Sequence, residues 1–321
     1  MSDDLNRMDQ TFPNRMHQTL SRREVLRALA ALGLTAPLAI PAAAEPRAIL
    51  TRPIPATGER VPAIGMGSWI TFNVGEDAEL RRQRLEVLRT FFEMGGTLVD
   101  SSPMYGASEE VIGYCLARLG AAPVFAATKV WTPGQWLGVQ QMAHSEGLWG
   151  LERFDLMQIH NLLDWEAHLE TLLEWKAEGR VRYIGITTSH GRRHEDFERI
   201  MRDQPLDFVQ FTYNMRDREA ERRLLPLAAE RGLAVIVNRP FRRGWLIDTY
   251  ARHPLPAWAN EIDCANWAQF FLKFIVSHPA VTCAIPATSQ VAHMRENMGA
   301  LSGRLPDAAL RARMLRHIES L

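Results

Sequence analysis

The chain of 321 residues is 46% apolar, which is enough to bury one large core without requiring several domains. Its 37 lysines and arginines balance 37 aspartates and glutamates, so no basic field favours nucleic acid as a partner. The three cysteines, Cys115, Cys264 and Cys283, are odd in number and lack the spacing of a C-x-x-C metal or redox motif. We expect them to be buried free thiols.

The first 44 residues have the pattern of a secretory signal. A basic segment at residues 21–27 precedes an uncharged run at 28–40, and a small-residue A-x-A site ends at Ala44. The paired arginines Arg22 and Arg23 resemble those of a twin-arginine signal. The apolar run is too short to span a bilayer, which takes about 20 residues. The alternative is a basic amphipathic starter helix.

This pattern predicts two parts of the chain. Residues 1–44 are expected to direct export of the folded protein to the periplasm, with cleavage near Ala44 and no membrane span afterwards. Residues 45–321 are expected to form one domain.

The domain begins with a predicted hairpin over residues 54–62, with Thr57 and Gly58 at its tip. Short β-rich runs then alternate with amphipathic stretches. The predicted strands are residues 63–69, 97–100, 124–129, 156–160, 183–187, 208–211, 234–238 and 283–286. The predicted helices include residues 80–94, 109–118, 166–178, 194–201, 219–231 and 266–277, and a helical stretch at 307–321 ends the chain.

Eight strands alternating with helices predict parallel pairing, because a parallel neighbour needs a crossover of about a dozen residues or more. The competing fold, a doubly wound open sheet, normally has a glycine-rich phosphate turn after its first strand. Gly65 and Gly67 stand there, but no third glycine and no opening helix follow. We therefore predict a (β/α)8 TIM barrel with the hairpin closing its bottom, and an active face at the C-terminal ends of the strands.

Three consecutive predicted strands end at or near a group that can transfer or stabilise a proton. Asp100 ends one strand and Tyr105 follows it across a tight turn, Lys129 ends the next, and His160 ends the one after. Carbonyl reduction by hydride leaves an oxyanion that must take a proton. A phenol with a pKa near 10 is a poor donor unless a neighbouring ammonium favours the phenolate and lowers that pKa. A carboxylate would keep the ammonium charged, and an imidazole can orient the carbonyl.

These residues stand in segments that resemble the aldo-keto reductases over essentially the whole expected domain. The matching segments are residues 95–106 (GGTLVDSSPMYG), 127–129, 158–161, 179–186, 209–214, 285–286 and 296–297. The resemblance implies reduction of aldehydes or ketones by a nicotinamide nucleotide, usually NADPH, without a metal or a GxGxxG turn. It also implies that Tyr105 is the general acid, that Lys129 with Asp100 tunes it, and that His160 orients the substrate.

The resemblance further implies a cofactor groove and a substrate pocket. Gln210 is expected to hold the nicotinamide carboxamide, and Trp69 and Asn161 are expected to shape the substrate pocket. The residues expected to bind the cofactor are Ser68, Thr187, Thr188, Gln210, Asn238, Arg239, Pro240, Thr288, Ser289, His293, Glu296 and Asn297.

The chain departs from the family pattern at several cofactor positions. Thr187-Thr188 replaces a common Ser-Asn pair, and residues 238–241 replace a Tyr-Ser-Pro-Leu pattern whose tyrosine stacks on the nicotinamide. Ala287 and His293 stand where many members have cationic residues for the 2′-phosphate. Arg239, Arg242 and Arg243 are available for phosphate, or else form a solvated loop. NADP is the expected cofactor, and NAD is possible.

Two alternatives to a carbonyl reductase stay open at this point. The barrel could be a nucleotide-binding module that reports redox state to a partner, with slow or vestigial reductase activity. A lyase or isomerase would need a metal or a Schiff-base lysine, and the expected acid partner of Lys129 disfavours the latter. The expected partners are a small carbonyl compound and, after export, a redox partner in the periplasm that re-reduces the nucleotide.

Overall fold

Eight parallel strands form the barrel in the computed structural model, which describes residues 49–321. They are β3 (Met66–Gly67), β4 (Leu98–Asp100), β5 (Phe125–Val130), β6 (Phe154–Ile159), β7 (Val181–Thr187), β8 (Phe208–Thr212), β9 (Ala234–Asn238) and β10 (Cys283–Ala284). Each strand pairs with the next one in sequence. The predicted (β/α)8 barrel is confirmed, while the predicted export signal lies outside the described residues.

The seam between the first and last strands of the barrel depends on close backbone approach. Gly65 N–H donates to Ala284 O (2.9 Å) and Gly67 N–H donates to Pro286 O (3.1 Å). A Cβ on Gly65 would lie 2.8 Å from Leu98 O, so only glycine fits there. Both strands are shorter than the predicted residues 63–69 and 283–286, because isolated bridges replace a continuous ladder at the seam.

Ten helices surround the described part of the barrel: α1 (Ala78–Glu93), α2 (Ser108–Leu119), α3 (Gln135–Trp149), α4 (Trp165–Ala177), α5 (His194–Asp203), α6 (Leu224–Arg231), α7 (Trp245–Tyr250), α8 (Trp267–Val276), α9 (Val291–Gly299) and α10 (Ala308–Ser320). No bounds were predicted for α3, α7 and α9. The predicted helix 219–231 is divided into a 3-10 turn, Glu219–Glu221, and α6. None of the described helices is long and apolar enough to cross a membrane.

A two-stranded hairpin covers the N-terminal end of the barrel, as predicted. Its strands β1 (Thr51–Pro53) and β2 (Arg60–Pro62) are antiparallel. Ile54 and Val61 are buried against the apolar side chains that fill the barrel interior. The Tyr183 hydroxyl inside the barrel lies 2.8 Å from Thr57 Oγ1 in the hairpin loop, which fastens the loop to the strands. The three cysteines are free and buried, as predicted.

The barrel interior changes from apolar to polar along the strand direction. Leu98, Ala127, Leu156, Phe208 and Ile236 belong to one buried apolar cluster. Because side chains alternate between the two faces of a strand, the residues two positions further on also point inward. Those residues are Asp100, Lys129, Gln158, Gln210 and Asn238. The strand periodicity therefore places a polar layer directly above the packed apolar layer, at the C-terminal end of the barrel.

Candidate active site

A cavity of about 560 Å³ opens above this polar layer. It is lined by the segments that follow six of the eight barrel strands and by residues of α9. All the predicted site residues line it except Lys129, which lies beneath it, and Ser289. The prediction that Ser289 lines the groove is not met, and its backbone carbonyl accepts a hydrogen bond from Arg84 Nη1 (3.3 Å). The structure thus brings together side chains from β4, β6, β8 and β9.

The floor of the cavity is a fully buried ion pair. Lys129 Nζ lies 2.6 Å from Asp100 Oδ2, and the two side chains are 0% and 2% exposed. The ammonium also donates to the Ser101 carbonyl (2.7 Å). Burial disfavours the charge on Lys129, but the charge and hydrogen bond of Asp100 oppose that penalty, and the net shift of the Lys129 pKa is upward. Lys129 is therefore a fixed cation at neutral pH.

Amide side chains hold the second oxygen of the carboxylate. Gln158 Nε2 and Gln210 Nε2 donate to Asp100 Oδ1 at 3.0 and 2.9 Å. Gln210 Nε2 also lies 3.1 Å from Gln158 Oε1, and Asn238 Nδ2 lies 3.4 Å from Gln210 Oε1. The Gln210 amide nitrogen is thus engaged on the barrel side of the cavity. One lone pair of its oxygen remains for a group inside the cavity.

Tyr105 lies over the buried ammonium and faces the cavity. Lys129 Nζ is 5.2 Å from the centroid of the Tyr105 ring. Burial raises the pKa of the phenol, Lys129 acts in the opposite direction, and Asp100 raises it further. The expected lowering by the ammonium is therefore present, but the net shift is upward because desolvation is larger. The phenol carries its proton at neutral pH.

His160 lies beside Tyr105 in the cavity wall, with its ring at right angles to the phenol ring. The ring centroids are 5.7 Å apart with an interplanar angle of 88°. His160 begins a short 3-10 turn directly after β6 and is 6% exposed. Burial and the positive charge of Lys129 hold the pKa of His160 well below its usual range. The imidazole is neutral at neutral pH.

The segment after β9 makes one end of the cavity electropositive. Arg239 lines the cavity and its Nε is buried without a hydrogen-bond partner among residues 49–321. Burial lowers the pKa of Arg239, and Arg243, Arg242 and Arg192 act in the same direction. Asp217, whose Oδ2 lies 3.1 Å from Arg242 Nε, acts in the opposite direction, so several cations converge around one carboxylate. The buried donor is suited to an anionic group such as a phosphate.

Beside Tyr105 the mouth of the cavity has an apolar rim. Ile70 and Met104 line the cavity and are 56% and 43% exposed. Ile70 has a positive φ of 65°, which is unusual for a β-branched residue. Trp69 also lines the cavity, and the Arg243 guanidinium lies over its ring, 4.4 Å from the centroid. A substrate would reach Tyr105 from an open mouth with apolar walls.

Sequence reasoning missed three residues that support the catalytic set. Gln158 was noted only as part of a matching segment, although its position two residues after Leu156 places it inside the barrel. The hydroxyl oxygen of Ser102 lies 2.9 Å from His160 Nδ1. Glu109, which is 1% exposed, accepts hydrogen bonds from Thr128, Ser145 and Trp149 behind Lys129. The contacts of Ser102 and Glu109 join segments far apart in sequence, and no local pattern indicates them.

Comparison with known proteins agrees with this geometry. The sequence model of the aldo/keto reductase family matches residues 63–312, and the chain belongs to this family. Methylglyoxal reductase YeaE of Escherichia coli is 28% identical over 260 residues, covering 78% of this chain and 89% of that protein. An NADH-specific methylglyoxal reductase of the same organism is 27% identical over 318 residues, covering 80% and 94%.

The same fold is present in solved structures of the family. An aldo/keto reductase from Klebsiella pneumoniae, in complex with NADP and acetate, superposes with a TM-score of 0.68 at 26% identity. The match covers 81% of this chain and 92% of that one.

The low pKa of His160 makes a prediction about stability. Below the ordinary histidine pKa of about 6.5, the unfolded chain binds a proton that the folded His160 does not, so stability falls as pH falls. His160→Asn should remove this contribution. The unfolding free energy of the wild type should therefore fall more steeply than that of the variant between about pH 7 and pH 5, by up to about 1.4 kcal/mol per pH unit. Urea titrations at several pH values measure this, and parallel slopes would contradict a buried neutral imidazole.

Proposed function

We propose that this aldo/keto reductase converts aldehydes or ketones to alcohols with a nicotinamide nucleotide as the hydride donor and Tyr105 as the general acid. The observation that carries the proposal is the position of the buried Lys129 ammonium. It is fixed by Asp100 and lies beneath a phenol that faces the cavity. A bound nicotinamide nucleotide would supply the hydride. The residues of the chain supply the proton and hold the carbonyl.

The surroundings of each catalytic residue determine its role in the proposed proton transfer. The raised pKa of Tyr105 keeps its proton in place until an oxyanion forms beside it. As the carbonyl oxygen takes that proton, the phenolate that remains is stabilised by the adjacent Lys129 ammonium. Asp100 and the Ser101 carbonyl hold the ammonium in position, so no reorganisation is needed at that moment. Solvent then restores the phenol proton.

The residues along the groove fit a nicotinamide nucleotide, with NADP favoured over NAD. The buried Arg239 Nε, which has no partner in residues 49–321, and the converging positive charge support binding of phosphate groups. The Thr288 hydroxyl contacts the Gln290 N–H (3.1 Å) at the start of α9, near His293 and Asn297 in the cavity wall. The relative from Klebsiella pneumoniae binds NADP, whereas one Escherichia coli relative is NADH-specific.

A small carbonyl compound is the substrate class that the open mouth supports. Ile70 and Met104, which line the cavity near Tyr105, are exposed to solvent. Two Escherichia coli relatives are methylglyoxal reductases. Methylglyoxal and short aldehydes are therefore the first compounds to assay.

Removal of one hydroxyl tests the function. Tyr105→Phe should lower kcat for aldehyde reduction by about 10²–10⁴-fold, the usual contribution of a general acid. The consumption of reduced nucleotide is followed with methylglyoxal and short aldehydes, using NADPH and NADH in parallel. We expect NADPH to give the higher kcat/KM.

Tyr114→Phe is the matched control, because Tyr114 lies on α2 and does not line the cavity. It should retain the wild-type rate. A slow rate that is the same in wild type and Tyr105→Phe would contradict the reductase and favour the nucleotide-binding module.

We also propose that residues 1–44 export the folded protein to the periplasm, on the sequence pattern around Arg22 and Arg23 alone. Export after folding would allow a bound nucleotide to travel inside the barrel. Re-reduction of that nucleotide would then require an electron-donating partner in the periplasm.

Replacement of both signal arginines tests this proposal. Arg22→Lys with Arg23→Lys should retain the protein in the cytoplasm with its signal uncleaved, since the twin-arginine pair is the address that the export machinery reads. Cell fractionation shows where the protein is located, and the mass of the purified chain shows whether the signal has been cleaved. A periplasmic double variant, or a wild type found only in the cytoplasm, would refute export by this route.

A further inference from the structure

Ser102 is hydrogen-bonded to both residues that face the substrate carbonyl in the proposed reaction. Its Oγ lies 2.9 Å from His160 Nδ1. Its backbone carbonyl accepts the Tyr105 N–H (2.9 Å). Ser102 is 0% exposed and adopts an extended backbone at the start of the 3-10 turn Pro103–Tyr105. The imidazole and the phenol are thus joined to the same buried residue.

The proton of this hydroxyl has one acceptor within reach. A hydroxyl has one proton to donate and two lone pairs. The Met104 N–H donates to Ser102 Oγ (3.2 Å) and occupies one lone pair. Within residues 49–321, His160 Nδ1 is the remaining polar atom in hydrogen-bonding distance of Oγ. Ser102 is 0% exposed, so bulk solvent does not reach this hydroxyl.

Two tautomers of a neutral imidazole fit this site differently. If Nδ1 carried the proton, it would donate to the second lone pair of Oγ, and the buried hydroxyl proton would have no partner. If Nδ1 carries the lone pair, the hydroxyl donates to it and each buried group is satisfied. The second arrangement places the imidazole proton on Nε2, the nitrogen that is free to face the cavity.

We propose that Ser102 is a positioning residue that holds the His160 imidazole in the Nε2–H tautomer and so directs a hydrogen-bond donor into the cavity. The neutral state that this requires agrees with the depressed pKa of His160. The consequence for catalysis rests on the proposed function. An Nε2–H donor can bind a carbonyl oxygen and the oxyanion formed from it, whereas an Nε2 lone pair would repel both.

Nitrogen NMR on the protein without substrate tests the proposal directly. In protein labelled with ¹⁵N-histidine, long-range proton–nitrogen correlations show which ring nitrogen of His160 carries the proton, and His160→Asn assigns the signal. We expect protonated Nε2 in the wild type and a mixture of tautomers in Ser102→Ala. We also expect kcat of Ser102→Ala to fall roughly tenfold, the effect of one lost hydrogen bond in the transition state.

Two further variants separate tautomer control from a general disturbance of the loop. Ser102→Thr retains the hydroxyl and should restore the wild-type nitrogen spectrum and most of the rate. Ser101→Ala removes the neighbouring buried hydroxyl, which accepts from Ser68 Oγ (2.8 Å) and does not contact the imidazole. It should leave the His160 nitrogen spectrum unchanged.

The outcomes distinguish this proposal from the proposed function. Protonated Nδ1 in the wild type would overturn it, whether or not any variant folds. An unchanged His160 spectrum in folded Ser102→Ala would also overturn it. If the spectra agree with the proposal but the wild type reduces no carbonyl compound, the positioning role stands and the proposed reaction fails.

Discussion

The buried ion pair between Lys129 and Asp100 is the interaction on which the rest of the site depends. Removing two charges from water is costly, and the cost is recovered only where geometry and further hydrogen bonds are favourable. Here the ammonium has a second acceptor in the Ser101 carbonyl, and the carboxylate has donors in Gln158 and Gln210. These contacts link β4, β5, β6 and β8 at the C-terminal end of the barrel.

The low dielectric that makes this pair costly also sets the protonation states around it. Desolvation raises the pKa of Tyr105 and depresses that of His160, so the phenol keeps its proton and the imidazole stays uncharged. Both are the forms needed to donate to a carbonyl oxygen. Lys129 repels a second cation on the imidazole and so favours its neutral form. It opposes the rise in the phenol pKa, and it stabilises the phenolate that remains after the proton is transferred. One buried cation therefore serves the acid and the orienting group together.

The sequence predicted the barrel and most of the cavity because these depend on local patterns. Two-residue alternation places Asp100, Lys129 and Gln210 inside the barrel, and the tight turn after β4 brings Tyr105 back over it. The predicted direction of the Tyr105 pKa shift was wrong. The net shift is upward because of burial, and burial depends on every segment packed around the phenol. The Ser102–His160 contact and the Glu109 cluster join separate segments and have no local signature. No bounds were predicted for α3, in which the exposed Trp136 and Leu137 obscure the apolar face.

The coupling free energy between Asp100 and Lys129 tests the central claim most directly. It is obtained from the unfolding free energies of the wild type, Asp100→Asn, Lys129→Met and the double variant. Each single change leaves a buried charge unpaired and should cost about 3–5 kcal/mol. The double variant should cost less than the sum of the two by at least about 2 kcal/mol. Costs that add to within about 0.5 kcal/mol would show that the two charges do not depend on each other, and would contradict the account.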